Sequence, residues 1–512
     1  MSFTSVEFIL LVTAAVVLYY LVPKRFQWIV LLAANYIFYL CGGVLLTGYL
    51  LAATVCTYAA GLALERLNAK KGQLDKNLWK RRKKSVAAAA LIFNFGMLYV
   101  VKYLDGTLEV LSQIAGRPVT QINILVPLGI SYYIFQSCGY VIDCYRGKYA
   151  VEHNIGHYAL FVSFFPQMVQ GPISRFRDLG GQLTAQRNLD FENLRSGIQL
   201  MLWGYFKKLI IADRAGVLVN TVFDNYDSYS GSIIALAVFF YCIQLYCDFS
   251  GGIDTARGVA HLFGVNLAEN FRRPIFADSV ADYWRRWHIT LGSWMRDYVF
   301  YPISLSKPFM KLGKFSRKHF SGVFGKILPT SLATFIVYLI IGIWHGSDPK
   351  YIVYGFWNGI IITASLLLEQ TFERNCRRLG IDRKSTGWRI FRIVRTCLLI
   401  FIGRYLTRAD SLGDAVSMMK ATALRFQPGA LLDGTALQLG VTAVDYLVIF
   451  AGVAVLLTVE FLQERGLSIR ETLAQKRAFV QYLGILIPVA AVLLLGVWFK
   501  GDVSVGFIYM QF

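Results

Sequence analysis

The sequence predicts an all-α, polytopic membrane protein, and three observations carry that expectation. Of its 512 residues, 56% are hydrophobic and only 16% charged, against about 25% charged in a soluble domain. Mean hydropathy is +0.49. Apolar runs recur along the whole chain, and a spanning helix needs roughly 20 mostly apolar residues. The alternating segments of about ten residues that mark a membrane barrel do not occur.

In chain order the runs cover residues 6–22, 26–40, 44–64, 86–103, 122–141, 155–169, 232–247, 331–344, 351–368, 390–405, 446–461 and 482–499, with 194–219 a more polar candidate. About 10–13 membrane-embedded helices are expected by length, some broken or re-entrant. No Lys or Arg precedes the first run, and Lys24 and Arg25 follow it. A secretory leader has a basic start, so this run reads as a retained helix. Lys and Arg collect on the cytoplasmic side of membrane proteins. Residues 65–84 hold nine basic side chains and two acids, and the turn 41–43 holds none. The N-terminus is therefore expected outside. Past residue 150 the alternation fails, as half-spanning segments would make it do. The chain reads as one membrane domain, 1–512, with N-terminal helices in 1–121, a core of broken helices in 122–349 and C-terminal helices in 350–512.

The net charge of +21 points to anionic lipid headgroups rather than nucleic acid, and part of it suits an anionic donor such as a coenzyme A thioester. Eight cysteines form no C-x-x-C pair, so neither a disulfide framework nor a zinc site is expected. His153 and His157 are four apart, at helix-face spacing, but lack an H-E-x-x-H pattern or a third ligand; no metal is expected. There is no Gly-rich phosphate loop and no G-x-S-x-G elbow. The largest non-apolar stretches, 369–388 and 408–441, read as loops.

Residues 127–349 interrupt apolar sequence with Gly, Pro and polar groups, and irregular backbone at membrane depth survives only inside protein or beside a cavity. Pro166 and Pro172 kink or end a helix, and Gln167 and Gln170 between them suit a protein interior. Asp248 and Ser250 close an apolar run before Gly251-Gly252, and either is a candidate helix cap or a cavity-lining group. Ser279 with Asp282 resembles a capping box opening a helix. On that helix Trp284, Trp287, His288, Leu291 and Met295 share a face, while Arg285, Arg286 and Arg296 point elsewhere, toward headgroups or an anionic ligand. His345 closes a long apolar run before the turn-forming Gly346-Ser347-Asp348-Pro349. An ionisable residue in a membrane segment is a functional candidate. A neutral imidazole suits a general base; a histidine that merely bonds a carbonyl at a helix end is the competing reading.

Together these segments resemble the membrane-bound O-acyltransferase family, most closely its bacterial branch of alginate O-acetylation membrane subunits and teichoic acid D-alanyl transfer proteins. The resemblance rests on Phe165-Pro166-Gln167 with Gly171-Pro172-Ile173, on Asp248-Phe249-Ser250-Gly251, and on Glu269-Asn270-Phe271 with Arg273-Pro274. It continues through Trp284-Arg285-Arg286-Trp287-His288, Trp294-Met295-Arg296-Asp297-Tyr298 and Trp344-His345-Gly346, and ends on residues 507–512. It implies a central tunnel with His345 as the catalytic residue and His288 beside the cytoplasmic approach of the donor. Trp287, Arg285, Arg286, Arg296 and Asp297 become donor-site or tunnel-lining candidates, as do Tyr298, Gln167, Asp248 and Trp344.

The implied activity is transfer of an acyl group, acetyl above all, from acetyl-coenzyme A for O-acylation of an envelope or extracellular polysaccharide. No permanently bound cofactor is expected. Implied partners are membrane lipids and a secreted or membrane-anchored acyltransferase or esterase-like protein, in a bacterial plasma membrane. Tyr301-Pro302-Ile303-Ser304 stands where alginate-type members carry Gly-Gly-Asn-Arg, which weakens alginate itself as substrate. D-alanyl transfer from an acyl carrier protein is the alternative acyl transfer, and polysaccharide export the alternative of another class.

Overall fold

Apolar runs become helices because lipid offers the backbone no hydrogen-bond partner, so each segment must satisfy its own N–H and C=O groups. The computed structural model describes residues 1–117, 120, 122, 124–320 and 322–498; residues 507–512, the family-like ending, lie outside them. The chain begins with α1 (Val6–Leu21), α2 (Gln27–Leu40), α3 (Val44–Ala69), α4 (Lys76–Lys102) and α5 (Leu104–Ala115). The middle holds α6 (Ile130–Arg146), α7 (Ile155–Ser163), α8 (Phe165–Met168), α9 (Phe176–Thr184), α10 (Phe191–Tyr205), a π-helical turn Phe206–Ala212, α11 (Asp213–Phe223) and α12 (Gly231–Leu262). Next come α13 (Val280–Arg286), α14 (Ile289–Met295), a second π-turn Arg296–Phe300, α15 (Tyr301–Ser304), α16 (Lys307–His319) and α17 (Gly322–His345). The chain continues through α18 (Pro349–Arg378), α19 (Thr386–Arg408), α20 (Leu412–Leu424), α21 (Ala443–Glu464), α22 (Ile469–Ala474) and α23 (Ala478–Leu495). Among the described residues the one extended pairing is an isolated antiparallel bridge between Phe271 and Trp287.

Seven of these helices, α3, α4, α12, α17, α18, α21 and α23, are long and apolar enough to cross a membrane. The expected count of about 10–13 embedded helices also drew on shorter or more polar elements. α1 and α2 have 16 and 14 residues, the 155–169 run splits into α7 and α8, and α19 carries several arginines. Two stretches read as loops are partly helical: α18 runs on to Arg378, and α20 lies within 408–441. His153 lies before α7, so it does not share a helix face with His157; it pairs instead with Glu65 at 3.2 Å.

Asp248 and Ser250 do not cap a new helix; both sit inside the 32-residue α12. The reason is a set of buried ion pairs from the first π-turn. Lys208 Nζ lies 2.6 Å from Asp248 and 2.8 Å from Asp213, and Lys207 donates to Asp254 and Ser250 at 2.6 and 3.0 Å. With its charge matched, Asp248 need not leave the helix. Gly251 serves packing rather than a turn. A Cβ on Gly204 of α10 would stand 2.5 Å from the Gly251 carbonyl, and one on Gly258 2.7 Å from the Gly197 carbonyl. Small residues let helix backbones meet, and here they seat α10 on α12. The same device joins α17 to α18, where a Cβ on Gly355 would meet the Tyr338 carbonyl at 2.7 Å.

Candidate active site

α17 ends at His345, and the turn after it forms as its residue types suggest: Asp348 Oδ1 accepts the Lys350 N–H at 2.7 Å and caps α18. The last carbonyls of a helix lack intrahelical donors. That of Trp344 is served from α4, by Lys102 Nζ at 2.9 Å and by Tyr103 Oη at 2.9 Å, the latter just past the helix end. The end of α17 is thus pinned beside His345. The His345 ring lies 5.0 Å from Trp344, 6.1 Å from Tyr351 and 6.0 Å from Tyr354, centroid to centroid.

The single helix expected through 279–298 is broken at His288. α13 stops at Arg286, and His288 takes a left-handed conformation, φ 48° and ψ 52°, before α14. That geometry is costly for a residue with a Cβ. A crossing segment holds it: Arg272 N–H donates to the Arg286 carbonyl at 2.8 Å and Ile289 N–H to the Asn270 carbonyl at 3.0 Å. Asn270 Oδ1 accepts the Thr290 N–H at 2.9 Å and the Thr290 hydroxyl at 2.9 Å. A backbone donor fixes which amide atom is oxygen, so His288 Nδ1, 3.3 Å from the same Oδ1, carries the proton. Nε2 is then the basic nitrogen of His288. The ring packs against Phe249 at 5.0 Å and Trp344 at 6.0 Å, and despite the break it still shares a cavity wall with Trp284, Leu291 and Met295.

Two adjoining cavities meet at this point. The larger, about 240 Å³, runs along α17 past Thr334, Val337 and Ile341, with Arg296 on its wall. The smaller, about 30 Å³, is walled by His345, His288, Trp287, Tyr351, Tyr354 and Arg404, among others. Trp284, His288 and Leu291 belong to both walls. His288 is buried and His345 half-buried.

The structure brings His288, His345 and Trp287 to one cavity, and the Trp344 ring, off both walls, packs against each histidine ring. Arg296 reaches the larger cavity but is mostly exposed and pairs with Asp297. The remaining candidates lie off both walls. Arg286 is bound to Glu464 at 3.1 Å and to Asp282 at 2.8 Å, and the exposed Arg285 leans on Asp282. Asp297 binds Arg175 at 2.8 Å. Tyr298 donates to Asp143 at 2.7 Å. Gln167 is fully buried, its amide facing the Phe161 carbonyl at 3.4 Å, and Asp248 is held by Lys208. Each of these six has a local packing or charge partner that draws it from the cavities.

Lys102, Asn270, Tyr354 and Arg404 are additions from the structure. Arg404 had a legible signal, a charge inside the apolar run 390–405. Its guanidinium donates to Tyr283 Oη at 2.6 Å and Tyr354 Oη at 3.5 Å and lies 5.2 Å over the Trp287 ring.

Comparison with known proteins decides the family. The chain is 30% identical over 441 residues to the probable alginate O-acetylase of Azotobacter vinelandii, covering 84% of this chain and 80% of that protein. It belongs to the membrane-bound O-acyltransferase family. The family model itself matches residues 149–317, which include His288. The peptidoglycan O-acetyltransferase of Helicobacter pylori is 28% identical, covering 78% of this chain and 73% of that protein. The teichoic acid D-alanyltransferase of Bacillus subtilis is 28% identical over a shorter reach, 56% of this chain and 69% of that protein. This membrane-bound O-acyltransferase is accordingly a multi-pass membrane enzyme that transfers acyl groups to oxygen.

Proposed function

We propose that the protein moves an acetyl group from acetyl-coenzyme A at the cytosolic face to a hydroxyl serving O-acylation of an envelope or extracellular polysaccharide, with His345 as general base. One observation carries the reading: two histidines, one closing a spanning helix and one held in a strained turn, share a small cavity inside the protein. In the reaction the acceptor oxygen attacks the thioester carbonyl carbon while its proton passes to the His345 imidazole. The C–S bond then breaks, and the thiolate leaves with that proton.

The void beside His345 is about 30 Å³ and adjoins one of about 240 Å³, so the names of the relatives carry the choice of acyl group. The A. vinelandii and H. pylori relatives are both named for acetyl transfer to polymers, which supports an acetyl donor and a saccharide acceptor. In this reading the protein sits in a bacterial plasma membrane with its N-terminus outside, and an esterase-like partner carries the acetyl group to the polymer. The B. subtilis relative's name favours a second reading, D-alanyl transfer from an acyl carrier protein, whose group is also small.

The test is a donor screen on membranes from the producing cell, comparing acetyl-coenzyme A, longer acyl-coenzyme A thioesters and a D-alanyl carrier protein, with polymer-bound ester as the readout. Acetyl-coenzyme A is expected to be used best, and His345→Ala to abolish transfer in a chain that still folds. Wild-type rates in His345→Ala would refute the assignment, and preference for the carrier protein would establish the second reading.

A further inference from the structure

Several buried or half-buried charges of this protein are paired with carboxylates: Lys207 with Asp254, Lys208 with Asp213 and Asp248, Arg214 with Asp445, Arg175 with Asp297, and Arg286 with Glu464. Lys102 and Lys350 bond backbone carbonyls instead. Arg404 has a third arrangement. It is 4% exposed, and among the described residues no carboxylate lies within ion-pair distance of it. It donates to two phenol oxygens, with an indole face beneath and the Cys242 thiol beside it. A buried cation without a counter-charge is costly. Its surroundings fix its plane firmly, and two bonds occupy only part of a guanidinium's five donors. It lines the same small cavity as His345 and His288.

We propose that Arg404 is the electrophilic partner of the reaction, its guanidinium receiving the negative charge that forms on the acyl carbonyl oxygen. The proposal rests on the reading of His345 as the base. The acceptor oxygen forms a bond to the carbonyl carbon and gives its proton to His345, and the C=O π pair moves onto the carbonyl oxygen. Arg404 N–H groups then donate to that oxyanion, completing the ion pair that the resting site lacks. When the C=O bond re-forms, the C–S bond breaks and the sulfur takes the proton from His345. A donor already oriented where charge will develop needs no reorganisation during the reaction, and this makes such groups effective. Tyr283, Tyr354 and Trp287 do that orienting.

The competing role is an anchor that merely ties α19 to α13 and α18, and kinetics separates the two. Membranes from the producing cell, carrying the full-length protein with its own partners, are supplied with radiolabelled acetyl-coenzyme A. Polymer-bound ester is measured against donor concentration and normalised to folded protein. Arg404→Gln should lower the maximal rate by about 10²–10³-fold, the size of a lost oxyanion donor, with the donor KM little changed. Arg404→Lys should retain part of the rate, and methylguanidine should restore part of it to Arg404→Gly. Tyr283→Phe, which removes one anchor and keeps the charge, should cost about tenfold or less. The proposal is overturned if Arg404→Gln stays within a few-fold of wild type. It is equally overturned if Tyr283→Phe matches the loss and methylguanidine restores nothing. His345→Ala run in parallel separates the two readings: activity there sinks the base assignment, whereas an inactive His345→Ala beside an active Arg404→Gln sinks this proposal alone.

Discussion

Lys208→Met is the sharpest test of the idea that Asp248 builds the fold instead of lining the reaction path. Lys208 Nζ sits 2.6 Å from Asp248 and 2.8 Å from Asp213, and the three side chains are 2%, 2% and 9% exposed. Methionine keeps most of the apolar stem, so the packing change is small. What disappears is the only cation among the described residues bonded to either carboxylate. Removing one partner of a buried pair costs about 3–5 kcal/mol, and here two acids are left facing each other, which places the loss toward the upper end. Asp248→Asn keeps the Lys208–Asp213 pair and should cost less, about 1–3 kcal/mol. The neutral triple variant Lys208→Met/Asp213→Asn/Asp248→Asn should recover most of the loss, because neutral replacement of a whole buried ionic group is often nearly free. That non-additivity is the signature of direct coupling. The assay is detergent-titrated unfolding of the purified protein in mixed micelles, with acyl transfer measured per folded chain. The reasoning is refuted if Lys208→Met lies within about 0.5 kcal/mol of wild type, or if the triple variant is no more stable than the single one. Loss of transfer in the folded fraction would return Asp248 to the chemistry.

Other perturbations follow from the same geometry. Asn270→Ala removes the acceptor of three contacts at the His288 turn; it should cost about 2–3 kcal/mol in the same unfolding assay and slow transfer, because nothing then fixes the His288 tautomer. Lys102→Met leaves Tyr103 on the Trp344 carbonyl, so stability should fall by only about 1 kcal/mol, while the transfer rate falls with the looser end of α17. Val337→Trp fills part of the cavity of about 240 Å³ and should lower kcat/KM for longer acyl donors more than for acetyl-coenzyme A, by about tenfold or more, as competition between donors would show. Gly355→Leu forces a side chain into the Tyr338 carbonyl and the Gly342 backbone; a loss of about 3 kcal/mol, read by unfolding, is expected.

Much of this molecule was legible because lipid imposes a simple rule. An apolar run must be helical, and the runs at 6–22, 44–64, 331–344 and 351–368 became α1, α3, α17 and α18, although α17 starts nine residues earlier and α18 ends ten residues later than the runs themselves. The end of α17 at His345 was legible as well, since Gly346-Ser347-Asp348-Pro349 is turn chemistry whatever surrounds it. Non-local partners decided the rest. Nothing near Asp248 reveals Lys208, forty positions earlier, so a charge in an apolar run looked like a helix end. The break at His288 depends on Asn270 and Arg272 crossing from a preceding segment, whereas the local spacing from Trp284 to Met295 fits an unbroken helix. Asn270 stood inside one of the family-like motifs, yet its role is a set of bonds across 18 and 20 positions that spacing does not show. Arg285 and Arg286 looked alike by sequence. Only the fold separates them, sending one to solvent and the other to Glu464.

The chemistry around His345 draws on all three segments of the chain. The two histidines come from 122–349, the stretch whose broken helices first suggested a cavity. Lys102, which pins the carbonyl preceding His345, comes from α4 in the first segment, and Arg404, on the wall of the small cavity, from α19 in the last. Lys102 serves the Trp344 carbonyl, a bond that brings no carboxylate to Arg404. The cation of the small cavity therefore stays available for charge that appears during the reaction. A fragment limited to 122–349 would keep both histidines and lose the groups that pin His345 and, on the proposal above, balance its chemistry; that reading therefore needs the assembled chain rather than its most motif-rich part.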